Sequence, residues 1–251
     1  YVTAKAGIPV TSLDRDMDAA NKGKATSDDL ITKDMQKGRA SQDDKDALLA
    51  LITPTADYAD LEGCDLVIEA VFEDRDVKRA VTEKAEAVLA PSAIFASNTS
   101  TLPITGLATV SKRPDNFIGV HFFSPVDKMM LVEIIMGEKT GQKALATALD
   151  YVRAIKKTPI VVNDTRGFYV NRCVLRYMSE AYNMLIEGVP PIMIENAAKM
   201  AGMPVGPLAL NDETAIDLSQ KILKAALADL GPKAVDPRHL ELIETMAVKH
   251  G

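Results

Sequence analysis

Residues 116–136 read NFIGVHFFSPVDKMMLVEIIM, and they decide the fold. Two short runs rich in Phe, Val and Ile flank Ser124-Pro125, the pattern of neighbouring strands joined through a turn. Each run carries one ionisable group, His121 in the first and Glu133 in the second. An unpaired charge inside an apolar strand is costly, so Glu133 calls for a partner, and His121 lies within reach if the strands are adjacent. A base held by an acid is the minimum needed to remove a proton from a hydroxyl group. The acid fixes the imidazole tautomer and stabilises the imidazolium formed when the ring takes a proton.

Outward from this stretch, β-prone runs alternate with helical ones from Ile8 to about Asp164. The runs IPVTSL, CDLVIEAVF, SAIFASN, NFIGVHFF, LVEIIM and TPIVVN read as strands, predicting a Rossmann-like, doubly wound parallel sheet with crossover helices. Between the first two, residues 16–51 are charged and read as two helices broken near Gly38-Arg39-Ala40, with Ser41 and Asp44 placed as a capping box. Past Asp164-Thr165-Arg166-Gly167 the period becomes helical. Val170, Val174, Met178, Ala181 and Leu185 mark one face of a long helix, and further helices are predicted over 191–201, 212–229 and 237–249. The chain thus divides into an α/β domain over 1–163 and a smaller all-α domain over 164–251.

Composition narrows the function. The net charge is -6 over 251 residues, and without a basic cluster a nucleic-acid partner is not expected. No apolar run reaches membrane-spanning length and no signal peptide is visible, which predicts a cytoplasmic or mitochondrial-matrix protein. Cys64 and Cys173 stand far apart and read as small buried hydrophobes. His239 and His250 lie in the helical part, away from His121, so no metal site is expected.

In an open parallel sheet, ligands bind beyond the carboxyl ends of the strands. Asp14 closes the first predicted strand, where an acid can accept both hydroxyls of an adenosine ribose and repel a 2′-phosphate, favouring NAD over NADP. Val71, Phe72 and Glu73 close the next, and Lys78 follows in the first turns of a helix. Glu73 can accept from a ribose hydroxyl while Lys78 reaches a sugar or phosphate oxygen, or the two form a helix-surface pair. Asn98-Thr99-Ser100 close the third and can bond a carboxamide or hydroxyl, or cap a helix beginning near Pro103. Asn171 sits beside the apolar stripe of the first helix after the boundary, where an amide can bond a carbonyl or be merely structural.

FASNTSTLPIT, GVHFFSPVDKMMLVEII and DTRGFYVNR, followed by PVGPLALNDETAIDL, together resemble the L-3-hydroxyacyl-CoA dehydrogenase family, especially the dehydrogenase portion of multifunctional fatty-acid oxidation enzymes. The resemblance spans essentially the whole chain. It implies NAD-dependent oxidation of a (S)-3-hydroxyacyl-CoA to a 3-ketoacyl-CoA, with His121 similar to the general base and Glu133 to the acid that orients it. It further implies that Ser100 and Asn171 contact the substrate's oxygen end, and that Asp14, Glu73, Lys78 and Ser100 contact NAD. Ser124 stands where many members have Asn, and it is expected to contact nicotinamide or substrate through water. The family's first strand and glycine-rich phosphate loop would precede Tyr1, so a truncated sheet is expected. The implied partners are acyl-CoA and either a second copy or a larger multifunctional complex. Two alternatives stand beside this reading: a non-catalytic acyl-CoA-binding or dimerising scaffold, and a β-hydroxyacid dehydrogenase with a lysine in the catalytic position.

Overall fold

The computed structural model describes every residue except 215, 250 and 251, so the expectation for His250 lies outside the described residues. The chain separates into two compact units, Tyr1–Tyr169 and Val170 onward.

The first unit begins with helix α1 (Val2–Lys5), turns at Gly7 and enters strand β1 (Val10–Leu13). The charged segment forms α2 (Met17–Gln36) and α3 (Gln42–Ala50). The Ser41 hydroxyl accepts from the Asp44 amide while the Asp44 carboxylate accepts from the Ser41 amide, the reciprocal cap expected of this spacing. Strand β2 (Ile52–Thr55) follows and pairs in parallel with β1 alone. It was not among the predicted strands. Pro54 removes one amide donor from the ITPT run, a feature that sequence reasoning discounts and that an edge strand tolerates.

Strands β3 (Leu66–Glu69), β4 (Ile94–Ser97), β5 (Phe117–Phe122), β6 (Leu131–Met136) and β7 (Thr158–Asn163) form a five-stranded sheet in that order. The sheet is mainly parallel with helices α4 (Arg75–Val88), α5 (Ile104–Leu107) and α6 (Gln142–Ala154) around it, the Rossmann-like architecture predicted. It departs from the fully parallel expectation at one place: β5 and β6 run antiparallel, and β6 pairs with β7 in parallel. The connection from residue 123 to 130 is too short for the crossover helix that a parallel pair needs. The predicted CDLVIEAVF strand also stops at Glu69, which leaves Val71, Phe72 and Glu73 in the loop beyond it.

Apolar residues cover both sheet faces. One cluster joins Phe95, Phe117 and Ile135 to Ile104, Leu107, Ala85 and Phe168. The other joins Ile94, Ile118, Val120, Val132 and Ile134 to Ala144, Ala148 and Val152 of α6. Gly119 lets α5 lie close on the first face, because a Cβ there would stand 2.8 Å from Ile104 Cδ1 and 2.8 Å from Ile135 Cβ.

Among its described residues the second unit holds helices joined by turns and no strand, with α7 (Val170–Ile186), α8 (Pro191–Met200), α9 (Pro207–Glu213), α10 (Ile216–Leu230) and α11 (Pro237–Glu244) as its α-helices. Met178, Tyr182 and Ile243 form its core, with Val174, Leu208, Ile216 and Leu223 packed around them. The expected single helix over 212–229 is thus the end of α9 followed by α10. Cys64 is partly buried as a small apolar residue, whereas Cys173 is exposed, contrary to the buried position expected of it.

Candidate active site

The antiparallel register of β5 and β6 sets His121 directly opposite Glu133. His121 Nδ1 lies 2.8 Å from Glu133 Oε2, and both residues are buried. Glu133 Oε1 accepts the Tyr169 amide at 3.0 Å, so both carboxylate oxygens have partners and the carboxyl cannot swing away from the ring. Phe123 and Phe168 flank the imidazole with ring centroids 4.5 and 5.8 Å away. Both rings lie tilted to the imidazole, at 57° and 58°. With Nδ1 on the carboxylate, Nε2 is the ring nitrogen directed away from Glu133 and able to take or give a proton.

The end of β4 is tied to the strand that carries His121, and the loop after β3 is tied to the end of β4. Asn98, just past β4, accepts the Phe122 amide at 2.8 Å through Oδ1, which ties the end of β4 to the strand carrying His121. Thr99 Oγ1 accepts the Leu102 amide at 3.0 Å, and the exposed Ser100 sits at the apex of this turn. Glu73 holds the turn from the other side. Its Oε1 accepts the Thr99 hydroxyl at 2.7 Å and the Ser100 and Thr101 amides at 3.0 Å each.

Lys78 is not part of a helix-surface pair. Its side chain is 3% exposed and turns inward, with Nζ 3.0 Å from both oxygens of Glu69 and 3.5 Å from Glu73 Oε2. Asp14, one residue past β1, is exposed and accepts the Arg15 amide. Phe72 is 81% exposed in the loop beyond β3. Ser124 is exposed and precedes the cis peptide to Pro125. Lys157 anchors the segment that follows, donating to the carbonyls of Val126 at 2.6 Å and Met129 at 2.5 Å. Asn171 belongs to the second unit, in the first turn of α7.

The structure therefore brings His121, Glu133, Asn98, Glu73 and Ser100 into the linked strand ends of one unit. Sequence reasoning passed over Glu69, Ser97, Lys157 and Asp164. Asp164 receives the amides of Ile104 and Thr105 at 2.7 Å each and so caps α5 from across the sheet. Only Glu69 carried a signal: like Glu133, it is an acid in an apolar run, LVIE.

The donor set suits a dinucleotide of the NAD type. An exposed carboxylate past β1 matches the diol of a ribose, the exposed Phe72 offers a face to a heteroaromatic ring, and polar backbone and side-chain groups line the ends of β3 and β4. Among the described residues no group of His, Cys, Asp and Glu could hold a metal ion, and no helix is long and apolar enough to cross a membrane.

Comparison with known proteins agrees with this chemistry. Residues 1–165 match the family model described as 3-hydroxyacyl-CoA dehydrogenase, NAD binding domain, and residues 167–250 match the 3-hydroxyacyl-CoA dehydrogenase C-terminal domain. The fatty acid oxidation complex subunit alpha of Shewanella amazonensis is 40% identical over 94% of this chain, which covers 33% of that protein. The chain thus spans about a third of the length of the curated relatives it matches. Among solved structures, (S)-3-hydroxybutyryl-CoA dehydrogenase from Ralstonia eutropha is 33% identical with a TM-score of 0.91, covering 99% of this chain and 88% of that one. The 3-hydroxybutyryl-CoA dehydrogenase from Escherichia coli K12 is 30% identical with a TM-score of 0.86, over 90% of this chain and 48% of that one.

Proposed function

The chain belongs to the 3-hydroxyacyl-CoA dehydrogenase family, and on that premise we propose that it oxidises the 3-hydroxyl of a (S)-3-hydroxyacyl-CoA to a ketone with NAD. Residues 1–165 are the family's NAD-binding domain, and bound NAD supplies the hydride acceptor. The observation that carries the reading is the buried contact of 2.8 Å between His121 and Glu133.

His121 Nε2 takes the proton of the substrate hydroxyl as C3 loses its hydride, and Glu133 offsets the charge gained by the ring. Holding the carboxylate on two partners keeps the dyad aligned without reorganisation during proton transfer. Ser100 and Asn171 bind the substrate's oxygen end. Asp14 takes a ribose diol, while Val71, Phe72, Glu73, Asn98, Ser100 and Ser124 form the rest of the cofactor surface and Lys78, buried against Glu69, supports it from beneath through Glu73. The chain serves as the dehydrogenase portion of a larger fatty-acid oxidation polypeptide or complex, or of a homo-oligomer, in the cytoplasm or the mitochondrial matrix. The names of its relatives support the fatty-acid oxidation complex among these.

The test is NADH-dependent reduction of acetoacetyl-CoA, with calorimetric titration of each ligand. His121→Ala is expected to lose about 10³-fold or more in kcat, and Glu133→Gln to lose turnover while NADH affinity stays within about twofold of the parent. Full activity of His121→Ala would point instead to a lysine base. Binding of acetoacetyl-CoA without NADH would support the scaffold reading.

A further inference from the structure

Glu69 closes β3 and is buried, yet no step of the proposed reaction uses it. Its carboxylate is the meeting point of three segments. Both oxygens take Lys78 Nζ at 3.0 Å, Oε2 accepts the Val71 amide at 3.2 Å, and Oε1 accepts the Ser97 hydroxyl of the neighbouring strand. Ser97 is the register partner of Glu69, and its Oγ accepts the Thr99 amide at 3.3 Å.

Lys78 lies in the first turn and a half of α4, where the positive end of the helix disfavours a cation. Burying it there against a carboxylate is, by itself, a poor source of stability, since an apolar pair of similar volume packs as well or better. What the arrangement does deliver is a fixed positive charge 3.5 Å from Glu73 Oε2. Glu73 Oε1 in turn holds Thr99, Ser100 and Thr101. Two routes therefore run from Glu69 to the same turn, one through Ser97 and Thr99, the other through Lys78 and Glu73.

We propose that Glu69 is a positioning residue, which through Lys78–Glu73 and through Ser97 locks the Thr99–Thr101 turn and so presents Ser100 and Glu73 to the cofactor and substrate. The identity of that ligand rests on the function proposed above; the locking of the turn does not.

Hydrogen exchange and NADH titration of Glu69→Gln separate the possibilities. The variant keeps the size of the side chain but removes the nearer of the two carboxylates that hold Lys78, leaving Glu73 at 3.5 Å as the other. The Ser100 and Thr101 amides are expected to exchange about tenfold faster or more, while those of β5 and β6 keep their parental protection. The NADH Kd is expected to rise about tenfold. A uniform rise across the sheet would mark Glu69 as merely structural and overturn the proposal, as would unchanged exchange at 100 and 101 in a folded variant.

Should Glu69→Gln fail to fold, the neutral double variant Glu69→Gln/Lys78→Met removes the buried charge and serves in its place. It is expected to fold and still show the loosened turn, because both the charge facing Glu73 and the carboxylate facing Ser97 are gone. Parental exchange in the double variant would refute the claim. Glu69→Asp, which restores the charge on a shorter arm, is expected to recover part of the protection. If the parent protein binds no NADH, the proposed function falls, whereas the exchange results still decide the role of Glu69.

Discussion

Glu73 is where the single-residue energetics are most exposed to test. Burial alone would raise its carboxyl, but the Thr99 hydroxyl, the Lys78 charge and the Thr101 and Ser100 amides outweigh burial and hold it below its ordinary value of 4.5. A carboxylate depressed by folding contributes stability that is complete above its unfolded value and is lost as pH falls through the folded one. Glu73→Gln is therefore expected to be less stable than the parent at neutral pH, with the deficit shrinking as pH drops below about 4.5. Urea unfolding midpoints of both proteins across a pH series would show it, and a deficit constant from neutral pH down to about pH 3 would contradict the assignment. At this scale the His121–Glu133 pair was legible, because a charge in an apolar strand must find a partner and only one lay nearby. Glu69 carried the same signal inside the run CDLVIEAVF, but no partner stood in a facing run to complete it. Its partner, Lys78, comes from the far side of a strand-to-helix loop, a relation that spacing does not encode.

At the scale of elements, packing turns on small residues at crossing points. Gly119 sits two residues before His121, and a methyl group there would meet the side chain of Ile104 and the Cβ of Ile135 at 2.8 Å. The Ile135 atom is the branch point of a buried strand residue and cannot swing aside. Gly119→Ala is expected to cost about 1–3 kcal/mol of stability, and by shifting β5 against β6 to weaken turnover as well. Chemical denaturation with a parallel activity assay would measure both; a variant equal to the parent in each would mean that the sheet yields freely. Among the described residues, six of the seven strands could be read from β-prone runs between turn formers, while β2 was hidden by Pro54 in a four-residue run. The antiparallel step between β5 and β6 was implicit in the short link around Pro125, although the prevailing βα alternation argued for a parallel neighbour.

Across the whole molecule, each unit keeps its own core. In the helical unit Ile243 is fully buried against Met178 and Tyr182. Ile243→Ala is expected to cost that unit about 2–5 kcal/mol, detectable as faster hydrogen exchange in α7 and α11; parental protection there would show that the cluster is not the unit's main support. From the sequence alone came the α/β unit followed by a helical one, the family, the dyad and the strand ends beside it. The family came from the resemblance of whole stretches, and the rest follows from local rules: hydrophobic period, turn chemistry and the cost of burying a lone charge. Tertiary structure alone decided that Lys78 faces inward to Glu69, that Asn98 ties β4 to the end of β5, and that Asp164 caps α5 from a distant strand. Each of these contacts joins segments far apart along the chain, and its geometry is set by how helices and strands pack, which no local pattern of residues specifies.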